Sequence, residues 1–317
     1  MKQLSVLLAL GGVALSALLV LWFDAGAVLR SAVSVGWAGF GLLSAWQAGM
    51  FLVLGFAWAA VMPGAAPGAL IWARMVRDAA TNILPFSPVG GFVLGVRALT
   101  LRGVGWPVAA AGAVVDSATE IAAQVAFTLL GLGALLVLLP GSGFAAPVGI
   151  GLGVVAAGTV AAGAARAPIV RTLRTLSTKL LGDRFGGEAK RDELQAEMTR
   201  LFQHPGRLLA STVLHVVAWV MTGTSTWITL RLFGLDPDFW AVMTLEALLG
   251  ALLGAAFLVP GGAGVQEAGY VGLGAAFGIP PEVALGVSLL RRARDLAFGV
   301  PILAVWQWTE WRRMQAR

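Results

Sequence analysis

Apolar runs long enough to cross a bilayer constrain this chain more than any other feature. A helix needs about 20 apolar residues to span the hydrocarbon. Candidate spans fall at 4–23, 36–61, 107–139, 145–165, 208–230, 240–259 and 284–309. Hydrocarbon offers no water to backbone amides and carbonyls, so only helices or closed barrels cross it. No segment shows the short alternation of apolar and polar residues that barrel strands need. The expected fold class is all-α: a polytopic integral membrane helix bundle, with residues 1–317 forming one membrane domain. Composition agrees, because 58% hydrophobic and 12% charged residues leave too little polar surface for a soluble domain of this length.

The same composition removes whole classes of chemistry. The chain has no cysteine, so disulfides, thiolate catalysis and Cys-based metal sites are excluded. His204 and His215 are too far apart in sequence for a compact HxxxH-type site, and no metal or other cofactor is expected. The glycine pairs lie in apolar segments and lack the Gly-Lys-Ser/Thr of a phosphate-binding loop. The net charge of +6 sits beside the apolar segments, which fits anionic lipid headgroups and not nucleic acid. The apolar run at the N-terminus outlasts a signal-peptide core and reads as an uncleaved first span.

One polar connector stands out. Residues 166–207 hold nine Lys/Arg and five Asp/Glu, which assigns them to the cytoplasm. Within it Leu194, Met198, Leu201 and Phe202 share one helix face, suited to rest on the membrane surface or under the bundle, or else to dock a partner. Lys2 and the basic tail 311–317 place both termini inside as well.

Two apolar segments, 81–99 and 261–279, are interrupted by proline and glycine. The stretches 82-NILPFSPVGGF-92 and 256-AFLVPGGAGVQ-266 echo one another, each with an apolar residue, a proline and then a glycine pair. Such paired interruptions point to broken or re-entrant segments and to two pseudo-repeats, with chance similarity as the rival reading. The backbone positions at issue are Pro85, Gly90 and Gly91 in the first segment and Pro260, Gly261, Gly262 and Gly264 in the second.

Ionisable residues in apolar segments are candidate functional groups. Glu267 follows the second interruption, where a helix could restart. It is either buried and paired with a cation or wetted at the interface. Arg291, Arg292, Arg294 and Asp295 fall inside the last candidate span. Helical spacing sets Asp295 against Arg291 and Arg292. At least one arginine then remains for a carboxylate such as Glu267 or Glu246, or for a phosphate. A purely structural ion-pair cluster is the alternative. Asp116, Glu120 and Gln124 repeat every four residues on one helix face. Two acids so placed need a cation between them or a shared proton. Arg97, Arg102 or the Arg291–Arg294 group could supply the cation, unless residues 107–120 lie at the interface. Arg74 and Arg77 read as headgroup anchors beside Asp78.

The LP…GG segment at 84–91, the PGG-x-G-x-x-E segment at 260–267 and the arginine-bearing last span together resemble the flippase-like transmembrane region of lysylphosphatidylglycerol synthases. Residues 82–124 look closest to its hopanoid-biosynthesis-associated HpnL subfamily. The resemblance implies a bacterial inner-membrane protein that translocates or otherwise handles a lipid, either a hopanoid or an anionic phospholipid. It does not imply lysyl transfer, because the fused synthases carry a soluble transferase domain after their membrane part and this chain ends at Arg317. The chain departs from the family pattern at Phe92, where an acidic residue often follows the glycine motif. Arg97 is the next arginine, and Glu267 matches the acid of the second motif. A homo-oligomer or a lipid-synthesis partner is compatible with this reading. Two rivals stand beside translocation: an intramembrane headgroup-modifying enzyme with Asp116 and Glu120 as acid and base, and a non-transporting scaffold docked through 188–203.

Overall fold

The computed structural model describes residues 33–84, 87–138, 187–256, 259 and 262–315. The expected spans 4–23 and 145–165, half of the 166–207 connector (166–186), and Pro85, Pro260 and Gly261 lie outside the described residues. Within them the chain is helical, as expected: α1 (Gly36–Val61), α2 (Pro67–Ile83), α3 (Ser87–Leu101), α4 (Trp106–Leu138), α5 (Gly187–Phe202), α6 (Pro205–Leu232), α7 (Phe239–Ala255), α8 (Val265–Ala276) and α9 (Pro281–Gln315). Three of them, α1, α4 and α6, are long and apolar enough to cross a membrane. Their outward faces remain apolar and exposed, as at Leu52, Ile121, Leu130 and Val213, which is how a helix meets lipid rather than water.

Contacts define two ends of the bundle. α1 and α6 run antiparallel: the Trp46 indole donates to the Met221 carbonyl at 2.8 Å, and Gly39 packs under Leu232. At the first end, Met62 closes over Gly112 of α4, and Arg313 donates to the Thr100 carbonyl. The amphipathic α5 docks here, with Leu201 buried and Leu194 and Met198 packed against the core. Three of the four residues of its apolar face are therefore used within the chain, and Phe202 remains exposed. At the opposite end, Trp227 donates to the Pro237 carbonyl at 3.1 Å, and Leu230, Val242, Ile279 and Ala284 form a second core.

Between these ends lie two helical hairpins. In the first, Gly91 and Gly95 of α3 pack directly on Arg77 of α2, so the two helices run back along one another. A Cβ at Gly91 would stand 2.6 Å from the Arg77 carbonyl oxygen. This corrects the reading of Gly90 and Gly91 as broken backbone: both lie inside regular helix, and at Gly91 the missing side chain permits close packing. In the second hairpin, Gly269 of α8 packs on Leu249 and Leu252 of α7. Here the backbone does break between α7 and α8, and Gly262 (φ +59°) and Gly264 (φ +76°) take left-handed conformations that L side chains avoid. α2, α3 and α8 are about 25, 22 and 18 Å long at 1.5 Å per residue, each short of the ~30 Å hydrocarbon core. α9 is one continuous helix of 35 residues that carries its charges and Pro301 in its interior.

Candidate functional site

Two clusters of buried charge form between these elements. The first joins α2, α4 and α6. Asp116, fully buried, accepts from Arg77 at 2.8 Å, from Arg74 at 3.3 Å, and lies 3.1 Å from the His215 Nε2. Glu120 accepts from Arg74 at 2.5 Å and from Arg77 at 2.7 Å. Arg74 also reaches Asp78, one turn on, at 3.1 Å. The long guanidinium stems let α2 reach the acids of α4, and their planar forks hold two carboxylates at once. Arg74 and Arg77 are therefore not headgroup anchors. They are the cations that the i, i+4 acids require, in place of Arg97, Arg102 or the α9 arginines.

The second cluster joins α6, α7, α8 and α9. Glu246, buried in α7, accepts from the Thr226 and Tyr270 hydroxyls at 2.6 Å each and from Arg291 at 3.2 Å. Glu267 is the third residue of α8, where its carboxylate accepts from the Gly264 amide at 2.8 Å and satisfies the first turn. It also accepts from Arg292 at 2.5 and 3.0 Å and from Ser288 at 3.1 Å. The buried alternative for Glu267 is thus the observed one, with 0% exposure. Asp295 accepts from its neighbour Arg294 at 3.3 Å and lies near enough to Arg291 to act on its charge, as helical spacing expects. Arg291 and Arg292 reach across to Glu246 and Glu267, because α7 and α8 bring carboxylates to their tips. Arg294 also donates to Ser225 at 3.0 Å, and its Nε has no partner among the described residues.

Both clusters open on one cavity of about 530 Å³. Arg74, Asp78, Glu120 and His215 line it from the first cluster, and Glu246, Arg291, Arg292, Arg294 and Asp295 from the second. The tips of both hairpins contribute as well, through Asn82 and Ile83 on one side and Val259 and Gly262 on the other. The rest of the lining is mixed: Leu43, Met50, Phe51 and Leu54 of α1 supply an apolar patch, and Gln47, Gln124, Thr222 and Gln266 add polar groups. Along α6, His215 and Ser225 mark the two clusters ten residues apart, about 15 Å of helix and half the ~30 Å hydrocarbon thickness. Arg97 does not join them. It is ion-paired with Glu310 near the first end of the bundle and does not line the cavity.

The profile of the family "Lysylphosphatidylglycerol synthase TM region" matches residues 9–302. The chain belongs to this family. No match was found among curated proteins or among solved structures. As a member of the lysylphosphatidylglycerol synthase TM region family, it is a membrane protein connected with lipid handling. Within the matched range, Glu267 serves as helix cap and as partner of Arg292.

Sequence reasoning missed Arg74, Arg77, Asp78, His215, Tyr270 and Ser225 as members of the site. His215 carried a usable signal, being an ionisable residue within the apolar run 208–230. Tyr270 and Ser225 carried none, because single hydroxyls are common in membrane helices and only the fold brings these two to Glu246 and Arg294.

Proposed function

We propose that this protein is a lipid translocase of the flippase-like type, moving a polar lipid headgroup along the cavity between the two charged clusters. The observation that carries this reading is the pairing of two polar stations, about 15 Å apart along α6, within one cavity that also has an apolar patch. A headgroup crossing bare hydrocarbon forfeits its hydrogen bonds, at several kcal/mol per unsatisfied group. Two stations at different depths divide that barrier. The two hairpins are read as re-entrant segments that enter from opposite ends and meet at the cavity, related as inverted pseudo-repeats.

The cargo follows from the walls. Arginines do not dominate the cavity, because carboxylates accompany them in both clusters. An amphiphile with a hydrogen-bonding head and an apolar body, either a polar-headed hopanoid or a phospholipid, suits it better than a bare hydrocarbon. The subfamily resemblance favours the hopanoid, and with it a bacterial inner membrane. Arg294 is the headgroup donor in this reading, since its Nε stands unpartnered beside the cavity among the described residues.

The test is reconstitution into liposomes containing head-labelled phospholipid or hopanoid, with inner-leaflet label made accessible to an external quencher as the readout. The protein is expected to raise the accessible fraction above that of protein-free liposomes, and Arg294→Lys, which keeps a cation beside Asp295 but loses the Nε donor, to abolish the gain while remaining folded. Accessibility no greater than in protein-free liposomes for both lipids, or a change in lipid mass, would overturn the reading.

A further inference from the structure

We infer that the Arg74–Asp116–Glu120–His215 cluster is a proton-binding site on the cavity wall, with an exchangeable proton held on His215. The argument rests on charge and geometry and holds whatever cargo the cavity takes. The two guanidiniums, Arg74 and Arg77, cannot lose their protons in a protein. They face three carboxylates, Asp78, Asp116 and Glu120. Arg74 and Asp116 are buried and the others largely so, and an uncompensated buried charge is strongly destabilising.

One further positive charge balances the cluster, and His215 is placed to carry it. The ring is 1% exposed, and its Nε2 lies against Asp116. The other ring nitrogen, Nδ1, is buried and has no protein partner among the described residues. An imidazole can carry a proton on each of its two nitrogens, so the ring can hold the charge while still donating to Asp116. His215 also lines the cavity, which gives the proton a route out.

No other described group near the ring supplies the missing charge. α1, packed along α6, has no ionisable side chain, and α4 offers only Asp116 and Glu120. Across the cavity α7 presents Glu246, and α9 presents Arg291, Arg292, Arg294 and Asp295. With Glu267 of α8, those residues make three guanidiniums and three carboxylates, already balanced.

The chain has two histidines, so NMR of histidine-labelled protein in lipid nanodiscs reads the site directly, with His204→Gln removing the exposed ring. At neutral pH both nitrogens of His215 are expected to be protonated. Asp78→Asn removes the surplus acid without touching the ring and is expected to return His215 to the neutral, singly protonated form. Glu120→Gln makes the same change in charge should Asp78→Asn fail to fold. A neutral His215 ring in the parent protein, or a doubly protonated ring that persists after the acid is removed, would overturn the inference.

Discussion

The two clusters share residue types, burial and a cavity, yet differ in balance. In the second, Arg291 and Arg292 each cross to a carboxylate on another helix, Arg294 meets Asp295 beside it, and the ledger of charges is even. In the first, three carboxylates share two guanidiniums, and Asp116 lies against a histidine as well. The second cluster is fixed by its own pairs and by the helix start it caps. The first, among the described residues, is one positive charge short. A buried network of fixed, matched charges suits a structural junction or a passive headgroup station, whereas one with a titratable deficit can respond to its surroundings.

Removing one charge from each side tests that contrast with the largest effects. Losing a partner from a buried pair costs about 3–5 kcal/mol. Arg74→Gln leaves one guanidinium against three carboxylates and removes bonds to Asp78, Asp116 and Glu120 together, so we place it at about 5 kcal/mol, the top of that range. Glu267→Gln leaves Arg292 without its carboxylate partner but keeps an oxygen for the Gly264 amide, and belongs near 3 kcal/mol, the lower end. Unfolding in mild detergent, followed by circular dichroism, ranks the two. If Glu267→Gln proves the more damaging, the first cluster is not the one short of positive charge.

The hairpins invite the next comparison. The first is held by close helix packing, the second by a capped break. Gly91→Ala drives a Cβ toward the Arg77 carbonyl, which cannot retreat without moving α2, and toward the Thr81 hydroxyl, which can rotate away only by giving up its bond to that carbonyl. Overpacking of this kind costs about 1–3 kcal/mol. Because Arg77 bonds both Asp116 and Glu120, the damage should reach the first cluster and leave the second intact. The measurable sign is a lowered melting midpoint together with an altered His215 ring signal, while a reporter on Tyr270 stays unchanged.

These contrasts were only partly legible in the sequence. Apolar run length set the helices α1, α4 and α6, because hydrocarbon thickness acts on each segment alone. The break before Glu267 was legible for a similar reason, since proline and glycine act on the local backbone. The partners of Asp116 and Glu120 were not. Arg74 and Arg77 lie about 40 residues away, and no local rule distinguishes a guanidinium bound for headgroups from one bound for a buried acid. The spacing argument for Asp295 captured only part of its surroundings, its nearness to Arg291 but not its hydrogen bond from Arg294. Helical i, i+4 geometry permits its pairing with Arg291, but carboxylates from α7 and α8 compete for the arginines and win because they come from facing helices.

The smallest expected effect supplies the control, the same pair chemistry outside the bundle. On α5 the Arg200 guanidinium donates to Glu197 at 2.8 Å, one turn away, and Arg200 is largely exposed. That hydrogen bond holds the Glu197 carboxyl below its ordinary range. A carboxyl lowered in the folded state adds stability above its unfolded value, about pH 4.3, and loses it as the pH falls through the folded value. Water screens the pair, so it is worth only about 0.3–0.5 kcal/mol. Glu197→Gln should therefore lower stability by about that much at neutral pH and by nothing once the pH is below the folded value. Equal losses from Glu197→Gln and Glu267→Gln at neutral pH would mean that burial does not strengthen the cavity's ion pairs. The contrast between the matched cluster and the one in deficit would then lose its energetic basis.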